Sequence, residues 1–103
     1  MFTYWVYSVD VIARVYLSRQ AMKELRTVPR HIALKLMAWV EAVETEGLEE
    51  VRKVPGYHDE PLSGPRRGER SIRLSRAYRA IYRVAQDGFG EIVKVDEVSK
   101  HGY

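Results

Sequence analysis

The sequence predicts an α+β fold: an N-terminal strand, two helices, then a three-stranded antiparallel meander, forming one sheet with the helices on one face. Three observations carry this. The run Val11-Ile12-Ala13-Arg14-Val15-Tyr16-Leu17 is rich in β-branched residues and reads as a strand. Ile32, Leu36, Trp39, Val40 and Val43 recur at the spacing of one helix face. Beyond Arg70 the apolar residues alternate instead, and Gln86-Asp87-Gly88-Phe89-Gly90 supplies a hairpin loop with glycines available for positive φ. A chain of 103 residues with one such succession is a single domain over 1–103.

The elements follow in order. Residues 1–10 either continue the first strand backwards or stand apart as an N-terminal extension. Ser18 is placed to cap a helix that carries Ala21, Met22, Leu25 and Val28 on one face. Pro29 breaks that helix and suits the first turn of the second, which Gly47 stops. From Leu48 to Glu69 no period is sustained, and Pro55, Pro61, Pro65, Gly56, Gly64 and Gly68 all fall there. A connection of that length in so small a domain is usually functional. The meander strands are Arg70–Leu74, Tyr78–Val84 and Glu91–Val98. Alternation sets Ile72 and Leu74 on one face, with Arg70 leading them, and Ser71, Arg73 and Ser75 on the other. Arg79 and Arg83 flank Ile81 in the same manner, against Tyr78, Ala80 and Tyr82. If the helices cover Ile72 and Leu74, Arg73 emerges on the open face. Trp39 and Tyr82 read as core.

Composition narrows the chemistry. With 46% hydrophobic and 30% charged residues the chain has the balance of a folded domain, not a disordered one. There is no cysteine, so disulfides, thiolate metal sites and a Cys nucleophile are excluded. The apolar N-terminus lacks a basic signal-peptide region, and Asp10 and Arg14 interrupt it too early for a membrane span; a cytoplasmic protein is expected. The net charge of +3 is local: Arg66, Arg67, Arg70, Arg73, Arg76, Arg79 and Arg83 lie within twenty residues that hold one acid, Glu69. Without that segment the remaining 10 basic and 13 acidic residues sum to −3. A stripe made only of arginine, whose planar fork matches phosphate, points to a phosphate-binding face. A solvated surface would mix lysine with arginine and interleave acids.

His31, His58 and His101 are scattered, and there is no clustered ligand set, glycine-rich phosphate loop or G-x-S-x-G elbow. No metal or cofactor is expected. What remains is a set of bases, acids and arginines in the C-terminal half. Arg73 and Arg79 stand on adjoining strands with nothing acidic between them, and like charges so placed weaken a sheet unless an anion visits.

Read in order, Gly56-Tyr57-His58-Asp59-Glu60-Pro61-Leu62-Ser63-Gly64, Arg70-Ser71-Ile72-Arg73-Leu74, Ala77-Tyr78-Arg79-Ala80-Ile81-Tyr82 and Lys100-His101-Gly102-Tyr103 resemble the RelE superfamily of toxins. Glu-Pro-Leu-x-Gly, then Tyr-Arg-x-x-Tyr and a terminal His and Tyr, is most similar to the YoeB-like branch; Tyr-His-Asp-Glu is similar to HigB-like proteins. The resemblance covers Val11 to Tyr103. It implies a RelE-like fold and the toxin of a type II toxin–antitoxin pair, an mRNA endonuclease working in the ribosomal A site and held inactive by a cognate antitoxin. It also implies metal-independent chemistry, in which the RNA 2′-OH attacks the adjacent phosphate and leaves a 2′,3′-cyclic phosphate and a 5′-OH. Carried over by position, Glu60 is the base, with His58 the alternative; Arg73 and Arg79 bind phosphate; His101 is the acid; and Tyr103 stacks on or orients the RNA. His58, Arg66, Arg67, Arg70, Arg76, Arg83 and Lys100 are the RNA-binding candidates.

Two rivals remain at this point. A ParE-like protein shares the architecture and inhibits gyrase through protein contacts, with no use for Glu60, Arg73, Arg79 and His101 together. A non-enzymatic RNA-binding module would use the arginine stripe alone and needs no acid–base pair.

Overall fold

The computed structural model describes residues 13–88 and 90–100. Residues 1–10, the start of the first predicted strand, His101 and Tyr103 lie outside them. Strand β1 (Ala13–Leu17) leads into helices α1 (Arg19–Leu25), α2 (Arg30–Glu46) and α3 (Leu48–Arg52). After a 3-10 turn at Pro55–Tyr57 comes β2 (Glu60–Pro61), then a second 3-10 turn at Gly64–Arg66. The strands β3 (Arg70–Arg73), β4 (Tyr78–Asp87) and β5 (Gly90–Lys100) complete the domain. The sheet order is β1-β5-β4-β3-β2, with β1 parallel to β5 and the other pairs antiparallel.

The α+β class and the meander are as predicted, with one strand and one helix more. β2 is two residues long and contains a proline, so it has no alternation to detect. α3 is barely more than one turn; it buries Leu48 and Val51, three apart, a spacing too brief to register as a period. Gly47, the expected stop of α2, also starts α3: at φ 90°, ψ 150° it reverses the chain in a conformation essentially reserved for glycine. β4 and β5 run on to an Asp87–Gly90 pair, which shortens the expected hairpin loop.

Ser18 caps α1 as predicted, accepting from the Ala21 N–H at 3.0 Å, while its own hydroxyl donates to the Asp96 carbonyl at 2.8 Å. Since β1 pairs only as far as Val95, the rest of that β5 edge needs other partners; Glu24 of α1 takes the Val98 N–H at 2.7 Å. One correction concerns α1: Ala21 is buried and Leu25 and Val28 pack against the core, but Met22 is exposed. All five predicted α2 positions are buried, and they pack on Ile72, Leu74, Ala80, Tyr82, Val93, Val95 and Val98. The helices therefore cover one face of the sheet. The other carries the candidate site.

Candidate active site

Cross-strand partners point to the same side of a sheet, so the register defines what the open face presents. One row runs Glu60, Ser71, Ile81, Glu97 across β2, β3, β4 and β5; the next runs Arg73, Arg79, Ser99. Arg73 and Arg79 are direct cross-strand neighbours. Between them and the β2 edge lies an open cleft of about 70 Å³, lined by His58, Glu60, Ser71, Ile72, Arg73, Ser75, Tyr78 and Arg79. That volume accommodates a few waters or one phosphate-sized anion.

The arginine stripe is not uniform, because long-range carboxylates divide it. Arg66 reaches from its 3-10 turn to Glu69 at 2.6 Å and to Glu97 on β5 at 2.7 Å. Arg83 pairs with Asp96 through two bonds of 2.6 and 3.0 Å. Arg70 faces the helix side, where it donates to Asp59 at 2.7 Å. Each of the three is thereby held more firmly protonated: Arg66 by its Glu97 and Glu69 hydrogen bonds, Arg83 by Asp96. For Arg70 burial works against the charge and Asp59 outweighs it.

Among the described residues, neither Arg73 nor Arg79 meets a carboxylate, and the Nε of Arg79 is buried without a hydrogen-bond partner. A buried, unsatisfied guanidinium donor costs roughly 1–3 kcal/mol, and facing it with a second cation adds to that cost. Such an arrangement is suited to a visiting anion. It is the arrangement a phosphate-binding site needs before its ligand arrives.

Other candidates fall elsewhere. Glu60 is exposed at the cleft rim, and His58 is exposed beside it in the left-handed region, at φ 46°. Arg67 and Arg76 are exposed on turns outside the cleft. Lys100 is paired with Tyr78, one residue out of phase with the Arg79–Ser99 row, and does not line the cleft. No group of three or more His, Asp or Glu able to hold a metal occurs among the described residues. None of their helices is long and apolar enough to cross a membrane.

No family model matches the sequence, and no curated protein matches it. Solved structures do. A YoeB/ParE toxin from Agrobacterium tumefaciens superposes with TM-score 0.64 at 17% identity, over 86% of this chain and 99% of that one. YafQ from Escherichia coli gives 0.68 at 15%, over 86% and 93%. RelE in the RelE–RelB complex of Pyrococcus horikoshii gives 0.65 at 21%, over 88% and 97%. The chain shares the fold of these solved RelE, YoeB/ParE and YafQ structures.

On this RelE fold the residues that sequence reasoning passed over are Ser71, Ser75 and Tyr78 in the cleft and Asp59 beneath it. Asp59 stood inside a quoted motif, but its role depends on partners 11 and 23 residues away. Nothing local marks it.

Proposed function

We propose that the chain is the toxin of a type II toxin–antitoxin pair and cleaves mRNA on the ribosome without a metal. The observation that supports this most is the Arg73–Arg79 pair, met by no carboxylate among the described residues and gathered with Glu60 and His58 around one phosphate-sized cleft. In this reading the two arginines bind the scissile phosphate and stabilise charge as it develops on the phosphorane. Glu60 accepts the proton of the 2′-OH as that oxygen attacks phosphorus; His58 is the alternative base. The bond from phosphorus to the 5′-oxygen breaks as His101 delivers a proton to it, leaving a 2′,3′-cyclic phosphate and a 5′-OH. Tyr103 stacks on the displaced RNA. Arg66, Arg70 and Arg83, tied to carboxylates, serve chiefly to shape the sheet, while Arg67, Arg76 and Lys100 meet more distant phosphates.

The partners in this reading are the ribosome, mRNA in its A site, and a cognate antitoxin; the compartment is the cytoplasm. The test is purified protein incubated with mRNA, naked and on programmed ribosomes. Cleavage on ribosomes alone is expected, with products that a kinase labels directly at their 5′-OH ends. On a slow single-stranded RNA substrate the residual rate should survive EDTA. Inhibition of gyrase supercoiling with no RNA cleavage would establish the ParE-like alternative instead.

A further inference from the structure

We propose that Asp59 is a positioning residue that holds the His58–Glu60 segment against the arginine pair; this rests on the nuclease reading above. β2 cannot hold that segment by itself. It pairs with β3 at two positions, Glu60 with Ser71 and Pro61 with Arg70, followed by one backbone bond from the Leu62 N–H to the Glu69 carbonyl, and Pro61 has no N–H to donate. His58 sits in the left-handed region, which a non-glycine residue keeps only where its surroundings over-determine it.

Asp59 supplies the missing constraint. Its side chain is 1% exposed, and each carboxylate oxygen has its own donor: Arg70 Nε at 2.7 Å and the Tyr82 hydroxyl at 2.5 Å. Those donors are a cross-strand pair on β3 and β4, both on the helix side of the sheet. Tyr82 is wholly buried and packs on Trp39 with ring centroids 5.2 Å apart. The carboxylate thus fastens an exposed loop to the buried core through Tyr82. Because neighbouring residues in extended chain point to opposite sides, anchoring Asp59 beneath the sheet edge turns Glu60 up toward the cleft.

The experiment is single-turnover cleavage of mRNA on programmed ribosomes over a range of toxin concentrations. Asp59→Asn should lower the maximal rate about 10²-fold, the cost of a misplaced catalytic group, with the half-saturating concentration unchanged because the arginines are intact. Tyr82→Phe removes one donor while keeping the ring and should show a smaller loss of the same kind, which covers the case in which Asp59→Asn does not fold. Wild-type rates in both single variants would overturn the proposal alone, as would a loss that appears equally in half-saturation. Wild-type protein that cuts nothing would remove the nuclease reading and this proposal with it.

Discussion

Replacing Arg73 with glutamine should stabilise the fold while destroying its function. Arg73 is exposed and sits directly opposite Arg79, and no described carboxylate offsets either charge. Like charges directly opposed on a sheet cost about 0.2–1 kcal/mol. For a domain of this size 1 kcal/mol corresponds to about 4–8 °C in Tm, so Arg73→Gln should melt roughly 1–8 °C higher than wild type. Inorganic phosphate should reverse the order. An anion bound only by the folded state at a hundred times its Kd adds about 2.7 kcal/mol, or roughly 10–20 °C, to wild type. Phosphate also stabilises proteins generally by exclusion from their surfaces, and the same titration on Arg73→Gln measures that background. The assay is thermal unfolding against phosphate at constant ionic strength, beside cleavage of ribosome-bound mRNA, where a loss of about 10²–10³ is expected. A variant that melts below wild type, or a wild type whose phosphate response is matched by the variant, would refute the reasoning.

Three further expectations can be checked. Burial, together with the Asp59 hydrogen bond, pushes the Tyr82 phenol up to about 12, against an unfolded value of about 10, so its contribution is complete below pH 10 and is lost as pH climbs toward 12. That contribution is at most about 2–3 kcal/mol; urea midpoints from pH 9 to 11 should fall more steeply for wild type than for Tyr82→Phe, and parallel declines would count against it. Gly47→Ala places a side chain at φ 90°, ψ 150° and should cost about 1–3 kcal/mol in urea unfolding, with cleavage by the remaining folded protein unchanged. His101→Gln should keep antitoxin binding and lose about 10²–10⁴ in cleavage rate, and an RNA with a bridging phosphorothiolate, a better leaving group, should rescue it but not Arg79→Gln. Equal rates for wild type and His101→Gln on ordinary RNA would end the role of His101 as the acid.

Taken alone, the sequence determined the elements whose signal is local. Ile32, Leu36, Trp39, Val40 and Val43 state a helix and its buried face within twelve residues, and all five are buried. The alternation about Ile72 and Ala80 assigns Arg73 and Arg79 to the face away from the helices, because side-chain direction in a strand is a matter of parity. Where an element is shorter than its own period, as in α3 and β2, that signal vanishes. Only the tertiary structure decided which arginines meet a carboxylate among the described residues. Arg66 and Arg83 look no different in sequence from Arg79, yet Glu97 and Asp96, 31 and 13 residues away, claim them. A bulge between Ile81 and Tyr82 shifts the register of β5 in that region and fixes which acids meet which arginines. The same holds for Asp59, whose donors are adjacent only because β3 and β4 pair Arg70 with Tyr82. Side-chain direction is set by neighbours along the chain, whereas charge compensation is set by neighbours across the sheet, and only strand pairing decides who those are.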